Sequence, residues 1–124
     1  ISTRTSRYTL RPDGIVVQTI VAGDTHTVAD AKENVAAFRR LAAGVKRPCL
    51  VDMRRSYSTD RGVREYYAGP EATEFCGGFA LLVGSAATRM IGNLFLAMNR
   101  SPLPVRMFTD EAPAVEWLLR FRGA

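Results

Sequence analysis

Apolar positions along the chain fall into runs that read as strands and spacings that read as helices. Residues 7–10 and 15–22 are rich in β-branched and other strand-favouring side chains. Arg11-Pro12-Asp13-Gly14 separates them, and a short Pro/Asp/Gly connector between such runs predicts a hairpin. Val28, Ala31, Val35, Phe38 and Ala42 then recur at steps of three and four, which predicts an amphipathic helix. Thr27 offers its hydroxyl as the N-cap, Asp30 complements the first-turn amides, and Gly44 supplies a left-handed stop.

Residues 48–53 form a short, nearly continuous apolar run that closes on Asp52, and residues 79–84 form another. Such runs predict strands buried on both faces. Between them a polar stretch, 54–60, leads to a weaker helical segment, 60–75, which Gly69-Pro70 divides into two short helices and Gly77-Gly78 ends. Ser85 is placed to cap a helix over 86–100. There Met90, Ile91, Leu94, Phe95, Leu96, Ala97 and Met98 cover more than one narrow stripe, so the helix is either deeply buried or shared with a partner. Ser101-Pro102-Leu103-Pro104 breaks it, and residues 105–108 make a last strand. Thr109 then caps a closing helix with Asp110 and Glu111 in its first turn and Ala114, Val115, Trp117, Leu118 and Phe121 on its apolar face.

The resulting order, ββαβαβαβα, predicts an α/β fold: a mixed sheet of four or five strands that opens with an antiparallel hairpin and carries helices packed on it. The 124 residues are the length of one domain, expected to span 1–124 with its core at about 7–122. A 47% apolar and 23% charged composition is that of a globular chain. The longest strongly apolar run, 79–83, falls far short of the roughly 20 residues that span a bilayer. No basic and apolar signal opens the sequence, so a cytoplasmic protein with no membrane partner is expected.

The net charge of +5 points toward acidic partners, but fifteen of the seventeen basic residues are arginines, a bias that reads as codon usage more than as a phosphate-binding surface. The surplus is concentrated. Residues 46–64 hold Lys46, Arg47, Arg54, Arg55, Arg61 and Arg64 against Asp52 and Asp60. Neither alternating strand aromatics nor an arginine-lined helix face accompanies them, so a protein partner is expected and nucleic acid is not.

Candidate chemistry is sparse. His26, the single histidine, sits in Gly23-Asp24-Thr25-His26-Thr27 and reads as a solvated residue leading into the helix; no serine lies in a GxSxG elbow. Cys49 and Cys76 have no CxxC spacing and read as buried thiols. No metal or cofactor is expected, and no catalytic residue. A possible ligand site comprises Asp52 at a strand end, the helix opening Gly84-Ser85, and Arg89 close by. Such a site would take an anion, a nucleotide or a lipid, the alternative to an interaction module.

Leu50-Val51-Asp52-Met53, followed by a loop and Asp60-Arg61-Gly62-Val63, resembles the sulfate-transporter and anti-sigma-factor-antagonist (STAS) domain, in which a buried strand ending in Asp precedes an Asp-Ser-[Ser/Thr]-Gly-Leu helix start. The run from Pro102 through Glu111, with Trp117-Leu118 in the helix that follows, resembles an uncharacterised bacterial branch of that family. The resemblance, with the sparse chemistry, implies a non-enzymatic regulatory module that binds a protein partner through Ser58, Thr59, Asp60, Arg61, Arg64 and Tyr67; the broad apolar coverage of the 86–100 helix separately predicts a homodimer. Switching members carry a phospho-acceptor serine at a position that this chain either fills with Arg61 or lacks, so the usual phosphoswitch is not implied; Ser56, Ser58 and Thr59 lie just upstream.

Overall fold

The computed structural model describes residues 1–21, 26–55, 61–98 and 103–122. The predicted hairpin is present as β1 (Ser6–Leu10) and β2 (Val16–Ile20), antiparallel, with Tyr8 opposite Gln18. Gly14 turns it at φ +91°, a conformation that a residue bearing a Cβ rarely adopts. β3 (Arg47–Asp52), β4 (Cys76–Leu82) and β5 (Val105–Phe108) then add in parallel, giving one five-stranded sheet in the order β1-β2-β3-β4-β5.

Each parallel step is bridged by helix. α1 (Val28–Ala42) joins β2 to β3, α2 (Arg61–Ala68) and α3 (Pro70–Thr73) lie between β3 and β4, and α4 (Ala86–Met98) lies between β4 and β5. α5 (Glu111–Leu118) follows β5 and ends in a 3-10 turn (Leu119–Phe121). At the start of α1 the Thr27 hydroxyl accepts from the Asp30 amide (3.2 Å) and Asp30 accepts from the Thr27 amide (2.9 Å), a reciprocal capping box. Its other end leaves through two left-handed residues, Ala43 at φ 51° and Gly44 at φ 80°.

The period-two geometry of the strands sends their side chains to two different helix layers. On one face, Ala37, Phe38 and Ala42 of α1 pack on Tyr8, Val16 and Cys49, while Ile91 of α4 packs on Leu81 and Val83. α2 lies between α1 and α4 on this side. On the other face Ala114 and Leu118 of α5 cover Ile15, Leu50, Ala80 and Leu82. Each large apolar side chain so enclosed contributes about 1.5–3 kcal/mol.

Three expectations need correction. Gly77-Gly78 does not end a helix but belongs to β4, where the strand passes under the closing 3-10 turn: a Cβ on Gly77 would stand 2.5 Å from the Phe121 carbonyl oxygen. The N-cap position of α5 falls on Asp110 rather than Thr109, and the Asp110 side chain makes no capping bond. His26 is not solvated; it is 5% exposed and hydrogen-bonded. No helix among the described residues is long and apolar enough to cross a membrane.

Candidate interaction surface and the cleft beside it

α2 is anchored by Val63, which is fully buried, and shows Arg61 and Glu65 to solvent. These two pair along the helix at 2.9 Å, four residues apart. The Tyr66 hydroxyl donates to the Glu71 carboxylate at 2.6 Å and ties α2 to α3; burial, reinforced by that carboxylate, pushes the phenol up to about 12. Arg64 is half-buried. Ser58, Thr59 and Asp60, like Ser56, lie outside the described residues.

Tyr67, expected on the partner-facing side, instead turns its hydroxyl inward. The oxygen lies 2.8 Å from His26 Nε2 and accepts from Asn34 Nδ2 at 3.0 Å. Burial drives its pKa well above that of an ordinary phenol. Asn34 also donates to Thr5 Oγ1 (2.9 Å), and Thr3 donates to Asn34 Oδ1 (2.5 Å). This buried network, which joins the chain before β1 to α1 and α2, was missed in the sequence. One signal for it was there: Asp30 and Asn34 occupy the stripe of α1 that also holds Ala31, Val35 and Phe38.

α4 opens with a second reciprocal cap. The Thr88 hydroxyl accepts from the amides of Gly84 and Ser85, both at 3.0 Å, and the Ser85 hydroxyl accepts from the Thr88 amide at 3.1 Å. Ser85 is therefore engaged as a helix cap. Further along, Ile91 faces the sheet at 5% exposure, whereas Met90 is 62% and Leu94 40% exposed. Four residues apart, they share one helix face. The breadth of apolar residues seen in the sequence thus divides into a core side and an open side.

The strand-end candidates separate. Asp52 is gripped by Arg54, whose Nε and Nη2 donate to its two carboxylate oxygens at 2.9 and 2.8 Å. Burial acts to raise the Asp52 pKa, but the Arg54 hydrogen bonds outweigh it and hold the carboxyl below the usual range. The Arg54 side chain also lies against Gly84, within 3.1 Å of where a Cβ would stand. Asp52 and Gly84 are therefore brought together but covered by an arginine.

Arg89 belongs to a different place. With Val83, Met107, Phe108, Thr109, Asp110 and Pro113 it lines a cleft of about 350 Å³ at the carboxyl ends of β4 and β5. Among the described residues no group of three or more His, Cys, Asp or Glu side chains is arranged to hold a metal ion.

Residues 8–122 match the model of a family described as a domain of unknown function (DUF7793). Among solved structures the chain is similar to an uncharacterised protein of the DUF3478 family, with a SpoIIAA-like fold, from Shewanella loihica PV-4: 16% identical, covering 95% of this chain and 98% of that one, at a TM-score of 0.63. It is also similar to a protein of unknown function from Arthrobacter sp. FB24, 32% identical over 95% of each chain, with a TM-score of 0.36. None of the curated proteins matches. The Shewanella likeness shows the fold, and the STAS-like α/β architecture implied by the residues around Asp52 is the one present.

Proposed function

We propose that this chain, which belongs to the family described as a domain of unknown function (DUF7793), is a non-enzymatic protein-interaction module that self-associates through α4 and offers α2 to a further protein. The observation that carries the reading is the outward pair Met90 and Leu94 on a helix whose opposite side is committed to the core. Large apolar side chains held out together at helical spacing lose their exposure only against another surface. α2 packs against α4 and shows the charged pair Arg61 and Glu65 to solvent. An apolar strip flanked by charge is the usual anatomy of an interface core and its rim. The SpoIIAA-like fold supports the reading by analogy only, since a fold hosts many functions.

The position where the switching members of the STAS family have their phospho-acceptor is either filled by Arg61 or lacking, so the module is read as constitutive there. The test is affinity capture from a lysate of the source organism, comparing the wild-type chain with Arg61→Glu and with Met90→Glu. Proteins retained by the wild type and by Met90→Glu but lost from Arg61→Glu are the expected result. A retained set that Arg61→Glu leaves unchanged contradicts the α2 surface.

A further inference from the structure

The cleft at the ends of β4 and β5 is a consequence of topology. α4 leaves β4 toward one face of the sheet, and α5 leaves β5 toward the other. Two adjacent parallel strands whose connections part in opposite directions leave a crevice beyond their carboxyl ends, the place where open α/β sheets commonly hold ligands. Its size, about 350 Å³, lies at the lower end of the roughly 300–1,000 Å³ found for small-molecule sites.

Its chemistry is divided. Val83, Met107, Phe108 and Pro113 give it an apolar side. Arg89, from α4, and Asp110, from the start of α5, bring opposite charges to the same space. Neither forms an ion pair among the described residues, and the Asp110 carboxylate is free of the capping bond its position would allow. A guanidinium matches a carboxylate in two parallel hydrogen bonds, and a carboxylate accepts from an ammonium. The opposed charges and small volume disfavour a nucleotide, whose phosphates would meet Asp110. They also disfavour a lipid, whose chain would need a deeper enclosure.

We propose that this cleft binds a small zwitterion of the α-amino-acid class with an apolar side chain, its carboxylate on Arg89, its ammonium on Asp110 and its side chain against Val83, Met107 and Phe108. The inference is independent of the α4 contact surface: Arg89 can bind whether or not Met90 and Leu94 are covered.

Titration of the full ¹⁵N-labelled chain at neutral pH, followed by amide chemical shifts, tests it. The probes are L-leucine, L-methionine and L-phenylalanine, with 4-methylpentanoate, isoamylamine and glycine as analogues lacking the ammonium, the carboxylate and the side chain. At least one of the three amino acids is expected to shift the amides of Val83, Arg89 and Met107 through Asp110 saturably. Each analogue, and each of Arg89→Gln and Asp110→Asn, is expected to weaken binding about tenfold or more, the effect of losing one charge-assisted contact. Both substitutions are at exposed positions, and unchanged spectra elsewhere confirm that the fold is kept. The proposal is overturned if none of the three amino acids shifts these amides. It is equally overturned if 4-methylpentanoate binds as well as L-leucine, which would make the site one for simple anions, or if both variants bind like the wild type.

Discussion

His26 Nε2 lies 2.8 Å from the Tyr67 hydroxyl, across 41 residues of sequence, and this contact holds the start of α1 against α2. The rings meet edge to face at 5.6 Å. Because the Tyr67 oxygen also accepts from Asn34, it is the junction of the buried network. Tyr67→Phe removes the junction and leaves buried polar atoms of His26 and Asn34 without it, at a cost of about 1–3 kcal/mol. Urea unfolding checks this; an unchanged midpoint would show that the network carries no stability.

Gly77 predicts a second effect. Its missing side chain lets the Phe121 carbonyl close over β4, and that oxygen belongs to backbone that cannot swing aside. Gly77→Ala forces strand and turn apart and is expected to destabilise by about 1–3 kcal/mol, the range for overpacking. A variant as stable as the wild type in the same urea titration contradicts this close approach.

Asp30 makes stability depend on acid. Hydrogen bonds from Arg4 at 2.6 and 2.5 Å are the main cause of a carboxyl pKa held well below the ordinary range; burial opposes them, and the bonds from Thr27 add to them. A carboxylate whose folded pKa is depressed stabilises the protein fully above its unfolded value, about 4, and loses that contribution as pH falls below it. Stability of the wild type is therefore expected to fall as the pH drops below about 4, and Asp30→Asn is expected to flatten that slope. Parallel slopes for the two proteins contradict the assignment.

Cys49 and Cys76 are both buried and free. Burial raises the Cys49 thiol well above its ordinary value and, against weaker opposing contacts, pushes Cys76 up to about 12. The reactive thiolate is thus scarce as well as enclosed. Neither cysteine is expected to react with a thiol reagent at pH 8 until denaturant is added, after which both should react. Rapid labelling of the native chain contradicts the packing of α1 on β3.

What could be read from the sequence was what depends on neighbours in the chain. The apolar runs around Leu50 and Leu81 gave buried parallel strands, and Thr27 with Asp30 gave the helix start, because strand burial and capping leave a local trace. Gly77 misled for the same reason: glycine reads as punctuation, and only the distant Phe121 explains its place within a strand. His26 was misplaced because its partner is 41 residues away. Of the site, the outward side of α4 was half visible in its excess of apolar residues. Of the cleft, Arg89 alone was named, and beside the wrong neighbours, since the cleft exists only where α4 and α5 diverge.

The claim that α4 is a contact surface is tested most directly by molar mass from light scattering at rising protein concentration. A wild-type mass approaching twice 13.6 kDa, with Met90→Glu and Leu94→Glu held at the monomer value, is predicted. A wild-type chain that stays monomeric at the highest concentration, or variants that pair as readily as it does, would contradict the account.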